Sequence, residues 1–203
     1  MGSVSPPDLL ETGPDAVPHP GRRRVAAGIA LLLLLLCVGG WQLDSRRRSS
    51  EFTALLACLD QGESAWMVAE ARVAGMASYV RPSIGAGTTR AMQLRLYRLV
   101  ANQAAKGRPD VQRALRRCRD VSILPFHWDL RAAREAYVEC LRAESSRLSA
   151  IAVHGSHMFS GYERSVLLRS RARELLVSAA RDVAGRRTVG QLMDDNRSVT
   201  TGH

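Results

Sequence analysis

The stretch Val25–Leu43, VAAGIALLLLLLCVGGWQL, decides how this chain is organised, because it has nineteen residues without a charge and six consecutive leucines. As a helix rising about 1.5 Å per residue it would measure roughly 28 Å, close to the roughly 30 Å hydrocarbon core of a bilayer. Arginine triplets at residues 22–24 and 46–48 bracket it, and Trp41 lies near its end, where amphipathic rings favour the headgroup layer. The sequence therefore predicts a transmembrane helix over residues 25–43.

Two topologies compete for this stretch. Its most apolar part is only fourteen residues long and is followed by Gly39 and Gly40, which fits a signal peptide cleaved near residue 40 and a secreted protein. The tail before it, however, is long and contains three acidic residues, unlike the short positive segment of a signal peptide. We favour an uncleaved signal anchor in the cell membrane. The N-terminus is then inside and the following domain extracytoplasmic, since long domains translocate largely regardless of charge.

The composition predicts an all-α protein with a single transmembrane helix followed by an antiparallel bundle of about four helices. Ala, Leu and Arg are abundant and aromatic residues make up 5% of the 203 residues, which favours helices over strands. We assign the bundle to residues 44–187. Residues 1–24, with five prolines, are predicted to be a disordered tail, and the polar residues 188–203 a flexible one.

Prolines and glycines suggest where the first two helices of the bundle end. The first should end near Val80, because a proline follows two residues later. Thr88 or Thr89 fits the N-cap of a second helix, which is expected to stop at Gly107. Pro109 then fits the first position of a further helical segment.

Asp129 is expected to be the N-cap of a third helix, and a fourth should continue to about Arg186. Apolar residues recur at spacings of three, four and seven along all these segments. The residues expected on the buried faces are Phe52, Leu55, Leu56, Leu59, Trp66, Val73, Met76, Val80, Met92, Leu96, Leu99, Val100, Val111, Leu115, Cys118, Leu130, Ala133, Tyr137, Leu141, Leu148, Val166, Leu167, Leu168, Leu175, Leu176 and Val183.

Three cysteines lie in the predicted bundle, which allows one disulfide and one free thiol. In an up-and-down bundle Cys58 and Cys140 are each about twelve residues above the membrane, so we predict that these two are bonded. Cys118 is the alternative partner of Cys58, because Pro109 makes the distance of Cys118 from the membrane uncertain. A disulfide between distant helices would imply an oxidising compartment.

Positive charge is concentrated in the middle of the chain. The formal net charge is +10, and residues 88–120 hold nine basic residues against Asp110 and Asp120. Arginine forks bind phosphate and carboxylate, so this region is a candidate surface for anionic lipid or a cell-wall polymer. The other interpretation, which we favour from the sequence, is an ordinary solvated face of amphipathic helices. The candidate residues are Arg90, Arg95, Arg98, Arg108, Arg113, Arg116, Arg117 and Arg119.

No motif in the sequence indicates catalysis, a cofactor or a metal. His154 and His157 have the spacing of two ligands on one helical face, but glycines flank them and no acidic or cysteine ligand is near. Arginine outnumbers lysine 28 to 1, which indicates a high-GC, bacterial genome. We expect a non-catalytic interaction or accessory module at the cell envelope with an unknown protein partner. The alternative is a membrane-tethered cytoplasmic binder of anionic lipid or nucleic acid; nucleic acid is disfavoured because only Tyr97 is interleaved with the arginines.

Overall fold

Five α-helices follow one another in the computed structural model, which describes residues 20–85 and 87–194. They are α1 (Pro20–Ser83), α2 (Arg90–Asp120), α3 (Trp128–Val153), α4 (Tyr162–Ala179) and α5 (Val183–Asp194), with a 3-10 turn at Gly155–His157. No strand occurs within those ranges, so the predicted all-α class is confirmed. Of the predicted disordered tail, residues 1–19 lie outside the described part of the chain, whereas residues 20–24 belong to α1.

The apolar part of α1 is long and apolar enough to cross a membrane, and α1 is the one helix with this property among the described residues. The six leucines at residues 31–36 are each 55–63% exposed. None of the residues in this apolar part of α1 is buried inside the protein. The segment therefore gains nothing from internal packing, unlike an apolar helix in the core of a globular protein.

Residues from Arg46 onward form the helical bundle, in which α1 and α2 run antiparallel. Cys58 of α1 is joined to Cys118 near the end of α2, and Ala69, further along α1, lies against Gly107, earlier in α2. The loop between these helices is short and the N-cap is Thr89, whose hydroxyl accepts a hydrogen bond from the Met92 amide at 3.3 Å. This cap is one of the two that the sequence predicts.

Helix α3 runs parallel to α1, and α4 turns back against α3. The direction of α3 follows from two contacts with α1: Tyr137 bonds to Glu63, and Arg147, ten residues later, bonds to Glu70. Helices α3 and α4 pack together along much of their length, and α5 packs against α4. The predicted antiparallel bundle of about four helices is thus the observed architecture, with α5 as an additional short helix.

Helix α2 is unbroken, so the predicted end at Gly107 and restart at Pro109 are wrong. Gly107 is buried inside the helix, where its missing side chain lets α2 approach α1 closely. Pro109 is exposed. Because proline lacks an amide hydrogen, the carbonyl group four residues earlier loses its helical donor, but water replaces that donor on a solvent-facing surface. The helix therefore tolerates both residues.

The remaining helix boundaries also differ from the prediction. Helix α1 continues three residues past Val80, and α3 starts at Trp128 with His127 as its N-cap, because the Asp129 carboxylate is engaged by Arg48. The predicted fourth helix divides at residues 180–182, where the Asp182 carboxylate accepts a hydrogen bond from the Gly185 amide at 2.8 Å and starts α5.

Part of the predicted flexible tail is folded. Residues 188–194 belong to α5, and Val189 and Met193, one helical turn apart, are 0% and 1% exposed. Apolar burial at this spacing holds the helix against the bundle. Residues 195–203 lie outside the described part of the chain.

The predicted core residues are buried in most cases. All five on α3 are less than a tenth exposed, as are Leu55, Leu59, Trp66, Val73, Val80, Leu96, Val100, Val111, Leu115, Cys118 and Leu176. Five others are partly buried, namely Phe52, Leu56, Met76, Leu168 and Leu175. The Val183 side chain lies outside the described part of the structure. Four predictions are wrong, because these residues face solvent with 38–70% of their surface exposed: Met92, Leu99, Val166 and Leu167. On α4 the buried stripe consists of the predicted Leu176 together with Ser165, Ala172 and Ala179, three small residues that allow close packing.

We predict that Gly107→Ala destabilises the bundle. A Cβ atom at position 107 would lie 2.9 Å from the Cβ and 3.1 Å from the Cα of Ala69, so the two helices must separate. Measured by thermal unfolding in lipid nanodiscs, the melting temperature should fall, although alanine gains about 0.5–1 kcal/mol in helix propensity.

The matched control is Gly75→Ala, also inside a helix but with no atom within 4 Å of the added Cβ. This change should leave the melting temperature unchanged or raise it. Equal melting temperatures for the two variants would show that the contact between α1 and α2 is not tight at Gly107.

Candidate functional site

The arginine face of α2 is the surface that the sequence singles out for binding. Its buried side is formed by apolar or small residues such as Val100, Ala104 and Val111, so helical geometry places the arginines on the solvent half. Because α2 is unbroken, they extend along roughly 44 Å at 1.5 Å per residue. All eight are exposed: Arg90, Arg95, Arg98, Arg108, Arg113, Arg116, Arg117 and Arg119.

Two members of this arginine face have side-chain partners. Arg113 is paired with Asp110 one turn before it, and Arg117 donates a hydrogen bond to the Gln61 side-chain oxygen at 2.9 Å. For the other six, no carboxylate of the described residues is within ion-pair distance. The face therefore presents guanidinium groups that an anionic partner can reach, since exposed pairs of this kind are weak.

The disulfide joins Cys58 to Cys118, with 5.2 Å between their Cα atoms, so the predicted bond between Cys58 and Cys140 is wrong and the alternative partner is correct. The reason is the continuity of α2. A break at Pro109 would have left the height of Cys118 undefined, whereas the unbroken antiparallel helix brings it directly opposite Cys58. The bond links α1 to α2 across the core.

Cys140 remains a free thiol on the side of α3 that faces α4. Its sulfur lies 3.9 Å from the carbonyl oxygen of Ser165. Burial raises the pKa of Cys140 to about 12, and the nearby Glu63 carboxylate acts in the same direction. Since the thiolate is the reactive form, this cysteine is not a nucleophile at neutral pH.

Buried ionic groups, which the sequence reading missed, connect α1 with α3 and α4. Glu144 is fully buried and binds Arg147 through two hydrogen bonds, from Nε at 2.9 Å and from Nη2 at 2.8 Å. Arg147 also reaches Glu70 on α1. Desolvation raises the pKa of Glu70, and Arg147 opposes that effect. This cluster holds one guanidinium between two carboxylates.

A second cluster lies nearer the middle of α1. Arg169 of α4 contacts the Glu63 carboxylate from Nε at 2.8 Å, and its guanidinium carbon lies 4.9 Å from the centre of the Trp66 ring. Tyr137 donates a hydrogen bond to the same carboxylate at 3.1 Å. Burial raises the pKa of Tyr137 well above its ordinary value, and Glu63 adds to the shift. Helices α1, α3 and α4 meet at this carboxylate.

A third cluster lies at the start of the bundle. Arg48 binds both carboxylate oxygens of Asp129 and donates to the Ala179 carbonyl at 3.1 Å. The hydrogen bonds from Arg48 hold the pKa of Asp129 below its ordinary value. Glu51, one turn along α1, lies 2.6 Å from Nδ1 of His127. These contacts tie the beginning of α3 to α1.

The sequence contains a recognisable signal for these clusters. Glu63 and Glu70 are seven residues apart and alternate with Leu59, Trp66 and Val73 at spacings of three and four, so they occupy positions on the buried stripe of α1. A carboxylate at such a position predicts a basic partner on a neighbouring helix. Which arginine supplies the partner depends on the packing.

The remaining candidates for a reactive site in the described part of the chain are a surface cavity and a pair of histidines. A surface cavity of about 400 Å³ between α3 and α4 is lined by Arg142, Arg164 and Arg147 and by one carboxylate, Glu139. The ring centres of His154 and His157 lie 5.3 Å apart, and no group of three metal-ligating side chains occurs in the described part of the chain.

Comparison of the chain with protein-family models, with curated proteins and with solved structures finds no match. Within the chain itself, two features bear on function: the exposed arginine face of α2 and the disulfide between Cys58 and Cys118.

We predict that Arg147→Met destabilises the bundle by about 3–5 kcal/mol, because it leaves the buried Glu144 carboxylate without its cation. Chemical unfolding in detergent measures the change. Arg113→Met is the matched control, since its side chain is 64% exposed and its pair with Asp110 lies on the surface. That variant should change the stability by less than about 0.5 kcal/mol. Adding Glu144→Gln to Arg147→Met should restore part of the loss, and equal effects of the two single variants would contradict a buried ionic cluster.

We further predict that replacing Arg113, Arg116 and Arg117 by Gln weakens the binding of anionic vesicles by protein held in neutral nanodiscs. Each cation near an anionic surface contributes about 1 kcal/mol, while exposed charges contribute little to folding. Vesicle co-sedimentation at low salt measures the binding. The control replaces three exposed arginines outside α2, namely Arg142, Arg164 and Arg171. If both triple variants bind alike, only the total charge matters and α2 is not a specific surface.

Proposed function

We propose that this chain is a membrane-anchored interaction protein, with residues 25–43 in the bilayer and the helical bundle outside the cytoplasm. The exposed leucines of α1 support the anchor, because six adjacent leucines without an internal partner are stable only in an apolar surrounding. At about 0.8 kcal/mol per buried CH₂ group, this run outweighs any peripheral contact. The N-terminus then lies on the cytoplasmic side.

The disulfide between Cys58 and Cys118 is the observation that carries the proposed compartment. Structural disulfides form and persist in oxidising environments and are rare in the cytosol. This bond connects positions 60 residues apart and lies in the core between α1 and α2, where it would stabilise the fold by about 2–4 kcal/mol. A bundle that depends on this bond belongs on the extracytoplasmic face of the membrane.

An interaction role, and not catalysis, is supported by the chemistry of the buried groups. The carboxylates of Glu63, Glu70 and Glu144 are each bound to an arginine, and the Cys140 thiol has a raised pKa. General acid–base chemistry needs groups that can exchange protons with a substrate, which these paired groups do not offer. The exposed arginine face of α2 is the surface we assign to an anionic partner, such as a lipid headgroup or a cell-wall polymer.

The same arginine face supports a second candidate, a cytoplasmic bundle tethered to the membrane that binds anionic lipid or nucleic acid. Eight exposed arginines along one helix would attract phosphate on either side of a membrane. The compartment of the bundle distinguishes this candidate from the first. A third possibility is that the apolar stretch is cleaved near residue 40 and the protein is secreted. The experiment must distinguish this possibility from the two anchored forms.

We predict that an epitope placed after His203 is removed by protease added to intact cells, while the protein stays in the membrane fraction after alkaline carbonate extraction. Mass mapping without reductant should recover a peptide pair that joins Cys58 to Cys118. The control is Cys118→Ser, in which the pair disappears and the midpoint of unfolding falls.

Each alternative gives a different result in the same experiment. A protected epitope together with free thiols at Cys58 and Cys118 would overturn the extracytoplasmic assignment and favour the tethered cytoplasmic binder. A mature N-terminus near residue 40, with the protein in the medium, would show that the apolar stretch is a cleaved signal peptide.

A further inference from the structure

Two large aromatic side chains are exposed where the loop between α2 and α3 leads into α3: Phe126 lies in the loop and Trp128 is the first residue of the helix. Phe126 is 62% exposed and Trp128 is 75% exposed. We propose that these two rings insert into the headgroup layer of the membrane that holds residues 25–43, and so form a second membrane contact of the bundle. The inference rests on the proposed anchor and adds a specific lipid-binding surface to it.

The position of the loop is fixed by its contacts with the first residues of the bundle. Glu51 of α1 accepts a hydrogen bond from the Leu124 amide at 3.2 Å, and its second oxygen lies 2.6 Å from the buried His127 ring. On the other side of Trp128, Asp129 is bound by both terminal nitrogens of Arg48. The segment that carries the two aromatic residues is therefore attached to residues 48–51 of α1.

Chain connectivity keeps this part of the bundle close to the membrane. Arg48 follows Leu43, the last residue of the apolar stretch, by five residues. Five residues cover about 7.5 Å as a helix and at most roughly 18 Å when extended. The headgroup layer on each side of a bilayer is about 5–8 Å thick. If residues 25–43 span the bilayer, the loop beside Arg48 is within one side-chain length or so of that layer.

The chemistry of this part of the bundle suits a lipid interface better than a protein partner. Tryptophan and arginine are residues that partition to the headgroup layer, with an apolar body in the lipid and a polar end in water. Arg46 and Arg47, which directly precede Arg48 on α1, are exposed, and Arg131 is exposed one turn into α3. The Arg131 amide bonds to the His127 carbonyl, which places this arginine next to the loop. Lipid headgroups are thus the occupant that fits both the rings and the cations.

The opposite end of the bundle supplies a matched comparison. Phe159, in the connection between α3 and α4, is 63% exposed, and the guanidinium carbon of Arg81 lies 6.0 Å from the centre of its ring. Arg81 is 33 residues beyond Arg48 in α1, which corresponds to roughly 50 Å of helix. Both ends of the bundle therefore expose aromatic rings. Of the two, the segment around Trp128 contacts Arg48 and Glu51, which follow the apolar stretch closely in the sequence, whereas Phe159 contacts Arg81 at the far end of α1.

The test measures tryptophan fluorescence of the full chain reconstituted in phosphatidylcholine bilayers that contain brominated acyl chains. Trp41→Phe removes the tryptophan of the apolar stretch and leaves the buried Trp66 and the exposed Trp128. Trp41→Phe with Trp128→Phe gives the contribution of Trp66, which is subtracted. We expect the Trp128 emission to shift to shorter wavelength, to be quenched by the brominated lipid and to be protected from aqueous iodide.

The control variant combines Trp41→Phe, Trp128→Phe and Phe159→Trp, so that the exposed tryptophan is at the opposite end. Its emission should be quenched by iodide and unaffected by brominated lipid. If Trp128 behaves as the tryptophan at position 159 does, the loop does not enter the membrane and the inference is wrong, while resistance to carbonate extraction in the same sample keeps the anchor intact. If carbonate releases the protein, the anchor and the loop contact fail together.

Discussion

The bundle depends on the pairing of two carboxylates of α1, the buried Glu63 and the partly buried Glu70, with cations from the neighbouring helices. Glu63 and Glu70 lie on the stripe of α1 that also supplies its apolar core residues, and they are bound by Arg169 of α4 and Arg147 of α3. Transfer of an unpaired carboxylate into the interior costs several kcal/mol. Burial of this stripe of α1 is therefore unfavourable unless both arginines are paired with the carboxylates. The packing of α3 and α4 against α1 is therefore coupled to the formation of these two ion pairs.

The choice of arginine over lysine matters for these pairs. A planar guanidinium can donate in two directions at once, as Arg147 does towards Glu70 and Glu144, and it can also stack on a ring, as Arg169 does on Trp66. A lysine ammonium is a point charge with a stronger hydration shell and would satisfy fewer of these acceptors. Arginine thus has a structural use inside the bundle, in addition to its exposure on the face of α2.

The ionic clusters and the disulfide stabilise different helix contacts of the bundle. The disulfide fixes α2 to α1, whereas the clusters of Glu63, Glu70 and Arg48 fix α3 and α4 to α1. Helix α1 is consequently the element to which every other long helix is attached.

The sequence by itself determined the helical class, the apolar stretch, a threonine cap at position 88 or 89 and most of the core, because these depend on composition and on local spacing within one helix. It also located the arginine face, since exposure of charge on an amphipathic helix is a local property. The tertiary structure decided that α2 passes through Gly107 and Pro109, that Cys118 bonds to Cys58, and which arginines bind the buried carboxylates. These outcomes depend on how closely two helices approach and in which register they pack, and that information is not contained in the periodicity of either helix alone.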